Sequence, residues 1–288
     1  INKFFKFFIF FHFFKSHMNG QQIRQALHAG DRVYGTLASA PATLWVNMNK
    51  GNGLDFVFID TEHIPNDRQT LSWMCQAYQA INLPPIVRVP NPDPYEACKV
   101  LDGGASGVIF PYVEEVSQIR DLVGACRYRP LKGDRLQQAL DDPQSLEPEL
   151  AAYLAERNAH SIAVANIESV PAIENLDALL AVEGLDAVLI GPHDLSCSLG
   201  IPEEYEHPRF DEAVRTIFTA ARKAGKGAGI HFFSGGIAQE IDFLQAGANL
   251  VVHGADVLIY KHALSEDITT LRKAMGDERQ TGSEDAII

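Results

Sequence analysis

Two acidic side chains of this sequence come shortly after apolar runs, in a pattern that suits a metal ion. Glu168 follows the run 162–167, and Asp194 lies four residues after the run 187–190. Neither has a Lys or Arg close by in sequence, and hard divalent cations such as Mg2+ or Mn2+ take oxygen ligands, often one or two carboxylates plus substrate and water. Acids in this position also commonly cap the following helix. The spacing leaves both roles open.

Arg88 and His63 are the side chains that could complete such a site. Arg88 lies in the segment IVRVP, where a guanidinium could bind a carboxylate or a developing enolate oxygen, or form a structural ion pair. His63 follows Asp60 and Glu62. Contact with Asp60 would orient the imidazole and make it a better base, whereas a lone loop histidine is commonly solvated.

Three more histidines lie near the ends of apolar runs. His193 precedes Asp194 and could shape a pocket beside it, whereas His231 and His253 are predicted to be core histidines rather than residues of the barrel mouth. The sequence contains no H-x-H, H-x-x-x-H or C-x-x-C spacing, so a zinc cluster is not predicted. The cysteines are predicted to be reduced thiols, namely Cys75, Cys98, Cys126 and Cys197.

Eight apolar runs alternate with stretches of helical spacing from Arg32 onward. The runs are rich in Val, Ile and Phe, continuous rather than alternating, and bounded by Gly, Pro or Asp, which is typical of strands buried on both faces of a parallel sheet. The predicted strands are 33–37, 56–60, 86–89, 108–111, 162–167, 187–190, 229–233 and 250–252. The predicted helices are 70–80, 95–101, 116–125, 172–180, 211–224, 238–246 and 258–274.

This alternation predicts an α/β fold, specifically a (β/α)8 TIM barrel in a single domain. An open doubly wound sheet is the alternative, but no G-x-G-x-x-G follows the first strand. In a barrel, the polar residues after the strands would meet at one rim, where barrel enzymes carry their chemistry. The long charged connection between Cys126 and Ala159 is a candidate to help build that site.

Composition excludes several functional classes. The chain has 288 residues and a net charge of 24 − 37 = −13, which disfavours nucleic acid as a partner.

Residues 18–275 are predicted to form the barrel, and residues 276–288 a flexible tail. The Phe-rich residues 1–17 are too short and broken to span a bilayer. They are predicted to be a non-native or targeting-like extension, so we expect a cytoplasmic protein, with a mitochondrial presequence as the alternative.

Five segments in order resemble the HpcH/HpaI aldolase family, which includes hydroxy-oxo-heptanedioate and 2-dehydro-3-deoxyglucarate aldolases and has macrophomate synthase as a relative. The segments are DFVFIDTEH, IVRVP, LDGGASGVIFPYV, ANIES and EGLDAVLIGPHDLS. The resemblance implies a class II pyruvate aldolase in which Glu168 and Asp194 hold a divalent ion, Mg2+ or Mn2+, with Co2+ or Zn2+ as alternatives. Arg88 would stabilise the enolate oxygen of pyruvate. His63, held by Asp60, would transfer protons at the hydroxyl or aldehyde group.

The predicted substrate is a 2-oxo acid, contacted by Arg88, Gly191, Pro192, His193 and Tyr112. Tyr112 replaces the His of macrophomate synthase-like relatives, and KGDRLQQAL replaces the Gly-rich R-G-x-G segment of bacterial members. Both segments would line the outer pocket, so the identity of the aldehyde stays open.

Two other functions remain after the resemblance is taken into account. Oxaloacetate decarboxylation would use the same ion, arginine and enolate, and an inactive barrel would act as a binding protein. The resemblance also implies a homohexamer built from dimers that exchange the last helix, here about 256–274.

Overall fold

The computed structural model describes residues 18–232 and 236–277. The predicted extension 1–17, nearly all of the predicted tail and Phe233 of the seventh predicted strand lie outside the described residues. Among the described helices, none is both long and apolar enough to cross a membrane. All four cysteines are free thiols, as predicted.

Eight parallel strands close into a barrel, which confirms the predicted (β/α)8 fold and excludes the open sheet. Each strand pairs with the next, and the last pairs with the first. The strands are β1 Val33–Leu37, β2 Phe56–Asp60, β3 Pro85–Arg88, β4 Gly107–Phe110, β5 Ile162–Asn166, β6 Ala187–Ile190, β7 Gly227–Phe232 and β8 Leu250–Ala255.

The helices lie outside the strands, except that α1 closes the amino end of the barrel. They are α1 Gly20–Ala29, α2 Thr43–Asn49, α3 Arg68–Ala80, α4 Pro94–Asp102, α5 Val116–Arg127, α6 Gly133–Asp141, α7 Pro148–Arg157, α8 Val170–Glu174, α9 Leu176–Leu180, α10 Pro192–Ser198, α11 Pro208–Lys223, α12 Gly236–Gln245 and α13 Asp256–Met275. The predicted helix 172–180 is interrupted at Asn175, whose side-chain amide donates to the Glu114 carbonyl at 2.9 Å.

Two apolar layers stabilise the barrel. One layer lies between the strands and the surrounding helices, and the other fills the interior and packs on Ile23 and Leu27 of α1. Side chains of a strand alternate between its two faces. The interior row of β2 is therefore Phe56, Phe58 and Asp60, so an apolar row ends in a carboxylate at the carboxyl end of the barrel.

The long connection between Cys126 and Ala159 does not occupy the position expected from the sequence. It contains α6, a short 3-10 turn and α7, and it joins α5 to β5. A helix-to-strand connection of a parallel barrel begins and ends at the amino ends of the strands. The helix α6 packs on α5, with Leu136 and Leu140 beside Gly124. No hydrogen bond or ion pair among the described residues joins this segment to the predicted site, so the prediction that it helps to build the site is not supported.

Candidate active site

Asp60 and Arg88 form a buried ion pair at the carboxyl ends of β2 and β3. The two residues are direct partners across the strands. Arg88 donates from Nε to Oδ1 and from Nη2 to Oδ2 of Asp60, both at 2.8 Å. Burial opposes ionisation of Asp60, but the hydrogen bonds and charge of Arg88 outweigh it and hold the pKa of Asp60 below its ordinary value. Both side chains are therefore charged at neutral pH.

The remaining contacts of Arg88 fix the plane of its guanidinium. Its Nη1 lies 3.1 Å from Oε2 of Glu62, and its central carbon lies 5.6 Å from the centre of the Phe58 ring. An arginine has five N–H donors, and the two hydrogen bonds to Asp60 engage two of them, whereas Glu62 is held by charge without a hydrogen bond. The other N–H groups remain for a substrate oxygen.

The predicted contact between His63 and Asp60 is not observed. The oxygens of Asp60 accept from Arg88 and from the N–H of Glu62, the latter at 3.0 Å. His63 Nε2 instead lies 3.7 Å from Oε2 of Glu62, and its side chain is 52% exposed. The bidentate fit between guanidinium and carboxylate explains the difference, because it occupies both oxygens of Asp60.

Glu168 is buried at the end of β5 with one donor on each oxygen. The N–H of Tyr112 donates to Oε1 at 2.7 Å, and the side-chain amide of Asn166 donates to Oε2 at 2.9 Å. Burial raises the pKa of Glu168 to about 7, against the lowering effect of the Tyr112 N–H and of Arg88, and the Asp194 charge adds to the increase. A nearby cation would favour the charged form.

Asp194 and Glu168 approach the same point of the main chain. A Cβ atom built on Gly191 would lie 2.0 Å from Oε2 of Glu168 and 3.7 Å from Oδ2 of Asp194. The absence of a side chain at Gly191 leaves room for the Glu168 carboxylate, whereas a Cβ there would stay at ordinary contact distance from Asp194. Neither acid caps a helix, because Ser169 caps α8 and the N-cap of α10 makes no side-chain hydrogen bond. The capping alternative is therefore wrong.

The two carboxylates fit a divalent cation that takes its other ligands from substrate and water. Within the described parts of the chain, no three His, Cys, Asp or Glu side chains are grouped to hold a metal ion. An ion at Glu168 and Asp194 would consequently keep open coordination positions, as magnesium sites commonly do. It would also offset the repulsion between two acids that face one another.

The other predicted substrate contacts are divided between the interior and the surface. Pro192 is buried at the start of α10, whereas His193 is exposed, with Nε2 3.7 Å from Oε1 of Glu203. The side chain of Tyr112 is 44% exposed.

His231 and His253 differ from each other. His231 packs edge-on against Phe58 with Nε2 3.0 Å from the Gly254 carbonyl, and burial lowers its pKa to about 4. It is a neutral, partly buried histidine of the barrel interior. His253 is half-exposed, with Nδ1 2.8 Å from Oε2 of Glu240, so the prediction of a core residue is wrong for it.

Three residues of the site were not identified from the sequence. Asn166 orients Glu168, Glu62 lies between Arg88 and His63, and Phe58 supports the guanidinium. Side chains two residues apart in a strand lie on the same face. Counting back two residues from Asp60 would have found Phe58, and counting back two residues from Glu168 would have found Asn166.

The family model described as HpcH/HpaI aldolase/citrate lyase matches residues 37–263, which include every residue of this site. The chain belongs to that family. The resemblance found in the sequence is confirmed, and the family identifies the chain as an aldolase-type lyase.

Individual relatives agree with this assignment. The chain is 34% identical over 249 residues to the 2-keto-3-deoxy-L-rhamnonate aldolase of Salmonella gallinarum, covering 86% of this chain and 92% of the relative. An HpcH/HpaI aldolase from Desulfitobacterium hafniense has a TM-score of 0.74 at 27% identity, covering 87% of this chain and 96% of that one. Macrophomate synthase has a TM-score of 0.73 at 26% identity, covering 89% and 90%.

Proposed function

We propose that this lyase cleaves a 4-hydroxy-2-oxo acid to pyruvate and an aldehyde through a pyruvate enolate. The observation that carries the proposal is the meeting of Glu168 and Asp194 beside Gly191, within electrostatic range of the Arg88 guanidinium. A 2-keto-3-deoxy sugar acid, the substrate class in the name of the Salmonella relative, is a 2-oxo acid of the same type.

Glu168 and Asp194 would hold the divalent ion, and their oxygens favour Mg2+ or Mn2+ over softer metals. Co2+ and Zn2+ are the alternatives. A bound ion would supply positive charge against the 2-oxo group and carboxylate of the substrate, which lowers the energy of the enolate.

Arg88 would stabilise the negative charge that develops on the enolate oxygen. Asp60 and Glu62 hold its guanidinium rigidly, and a preorganised donor needs no reorganisation during the reaction. Asp60 acts here through Arg88, as an orienting partner rather than as a base.

His63 would move the proton. It accepts the proton of the C4 hydroxyl as the C3–C4 bond breaks, so that the hydroxyl carbon becomes the aldehyde and the electron pair remains in the enolate. Return of a proton to C3 gives the methyl group of pyruvate. The exposed imidazole beside Glu62 can exchange its proton with solvent between turnovers.

Proton NMR of pyruvate in D2O tests this proposal at the enolate step. With Mg2+ or Mn2+, the wild type should exchange the methyl protons, and EDTA or Glu168→Gln should abolish the exchange. Glu156→Gln is the matched control, because Glu156 is exposed on α7. Exchange that persists in EDTA or in Glu168→Gln would refute the cation site.

Oxaloacetate decarboxylation is the second candidate, because its product is the same enolate and it would use the same ion and arginine. A screen of aldehydes with pyruvate, beside oxaloacetate alone, distinguishes the two reactions. Turnover of neither, together with no methyl exchange, would favour an inactive barrel that acts as a binding protein.

We also propose a homo-oligomer, namely a homohexamer built from dimers that exchange α13. This helix begins at Asp256, a buried residue that accepts from the N–H groups of Ser39 and Ala40, both at 3.1 Å. Beyond that anchor, α13 leaves an apolar stripe in solvent, formed by Tyr260, Leu264, Ile268, Leu271 and Met275. Tyr34 of β1 and two isoleucines of α12 are exposed as well. A second copy of the chain would cover both surfaces.

A further inference from the structure

Tyr112 has a main-chain conformation that is unusual for an aromatic residue. Its φ angle is 46°, which lies in the left-handed region where a Cβ atom is crowded by the neighbouring carbonyl oxygen. Such conformations persist only where the surrounding structure holds them, and they concentrate at functional sites.

The left-handed conformation directs two successive N–H groups toward the end of β5. The N–H of Tyr112 donates to Oε1 of Glu168 at 2.7 Å, and the N–H of Val113 donates to the carbonyl oxygen of Asn166 at 3.2 Å. A left-handed residue turns neighbouring N–H groups to one side and makes a concave site for an anion. Glu168 is thus held by main chain, which is more rigid than a side-chain donor.

The side chain of Tyr112 reaches the helix that carries the other carboxylate. The Ser198 hydroxyl acts on the Tyr112 hydroxyl and lowers the pKa of that phenol, and Ser198 is the last residue of α10, whose first turn contains Asp194. The Ser198 oxygen accepts from the N–H of Val170 at 3.0 Å. Ser198 thus joins the segment after Glu168 to the helix of Asp194, with the Tyr112 side chain beside it.

We propose that Tyr112 is a positioning residue for the cation site, which sets Glu168 through its left-handed main chain and α10 through Ser198. The inference rests on the proposed function, because it assumes that Glu168 and Asp194 bind a divalent ion. It assigns Tyr112 a task beyond contact with the substrate, and it predicts that the main-chain conformation matters more than the hydroxyl.

Mn2+ affinity of the purified full chain, measured from the EPR signal of the free ion at pH 8, tests the proposal without any turnover. Tyr112→Gly and Tyr112→Ala both remove the side chain and keep the N–H, but only glycine adopts a φ of 46° without crowding. We expect Tyr112→Ala to bind Mn2+ at least ~10-fold more weakly than Tyr112→Gly, as for other partners of metal ligands.

Tyr112→Phe and Ser198→Ala test the link between Tyr112 and α10 with smaller changes. The first keeps the aromatic ring, and the second keeps the main chain of α10. Each should weaken Mn2+ binding by about threefold, the size of one hydrogen bond. The loss caused by Ser198→Ala should be smaller in the Tyr112→Phe background than in the wild type, because only the bond to the Val170 N–H then remains to be lost. These variants keep the test decisive if Tyr112→Ala does not fold, which circular dichroism would show.

Equal affinities of Tyr112→Ala and Tyr112→Gly would overturn the main-chain role. Additive losses in Tyr112→Phe and Ser198→Ala would overturn the link to α10. Mn2+ binding by the wild type that is unchanged in Glu168→Gln would remove the cation site itself, and with it the basis of the proposed function. The three failures can be told apart because each is seen in a different comparison of variants.

Discussion

Single residues determine whether the candidate site can hold a charge. Glu168 is almost completely buried, and its two protein donors satisfy one lone pair on each oxygen. Burying a carboxylate is costly unless it is paired. Arg88 is already engaged by Asp60 and Glu62, so it compensates Glu168 only from a distance. The site is thus prepared for a further positive charge.

Gly191→Ala should disrupt this arrangement directly. The new Cβ would lie 2.0 Å from Oε2 of Glu168, so the carboxylate must move. We expect Mn2+ affinity, measured by calorimetry, to fall by about 10- to 100-fold. Gly124→Ala in α5 is the matched control, because its Cβ would meet Leu136 and Leu140 only at ordinary contact distance. Unchanged affinity in Gly191→Ala would show that the two acids do not act together at this point.

The pKa of Glu168 predicts how stability depends on pH in EDTA. The pKa is raised to about 7 in the folded state from an ordinary value of 4.5, so between these values the folded chain binds more protons than the unfolded one. This carboxyl therefore makes the fold less stable as pH rises from about 4.5 to about 7. The Glu168→Gln variant has no ionisable group at this position, so it should not show this dependence of stability on pH.

Thermal unfolding in EDTA should show that the stability of Glu168→Gln increases relative to that of the wild type as the pH rises through this range. We expect an advantage of about 1–3 kcal/mol above pH 7, or a few degrees in Tm, and little difference at pH 4.5. Adding Mn2+ should raise the Tm of the wild type alone. A Tm difference independent of pH would contradict the assigned pKa.

At the scale of elements, a separate cluster at the opposite end of the barrel holds α1, α5 and β6 together. Asp186 is buried before β6, bonds Arg127, accepts from the Ala163 N–H at 2.8 Å, and lies 3.3 Å from Nε2 of His28. These contacts satisfy Asp186 within the fold, so they serve stability and not the site.

Asp186→Ala should therefore destabilise the chain without changing its chemistry. Removing the carboxylate takes away the charge partner of the Arg127 guanidinium, which then keeps only the Ser161 and Gly184 carbonyls. We expect a loss of about 3–5 kcal/mol in the free energy of unfolding by urea. Asp134→Ala, on the exposed surface of α6, should cost about 0.5 kcal/mol. An unchanged kcat per folded molecule is expected for both, and a selective loss of kcat in Asp186→Ala would contradict this division.

The sequence predicted the elements with strong periodicity and missed the short ones. All eight strands were located, because runs buried on both faces are continuous. The helix α1 was missed although Asn19 and Gln22 form a capping box ahead of Ile23, Ala26 and Leu27, a signal that could have found it. The helices α6 and α7 were read as an irregular connection.

The positions of the candidate site residues were predicted where they follow from the strands. Asp60, Arg88, Glu168 and Asp194 lie near the carboxyl ends of the strands as expected. The partner of His63 was wrong because two groups competed for Asp60, and sequence does not reveal which one wins. The main-chain role of Tyr112 was invisible, because its φ angle is imposed by contacts with β5.

At the scale of the whole molecule, the single chain leaves a 20-residue helix largely in solvent. The stripe of α13 recurs at intervals of three or four residues, so it forms one face of the helix. An apolar face of this length that is not covered marks an interaction site.

Ile268→Asp should weaken the proposed assembly. A charge in the middle of the stripe would have to be desolvated in the interface, so we expect the mass from light scattering to fall to that of a smaller species. Thr269→Asp adds the same charge on the opposite face of α13 and should keep the wild-type mass. A monomeric wild type, or equal masses for both variants, would refute the role of the stripe.

The pairing of Asp60 with Arg88 also bears on how the sheet aligns. The two side chains meet only because their residues are direct partners between β2 and β3. A shift of one position would turn one charge to the other face of the sheet and leave the second buried alone, at a cost of several kcal/mol. The same charges that would stabilise an enolate thus reject misaligned barrels, and a chain that folds with the wrong register is penalised before any substrate arrives.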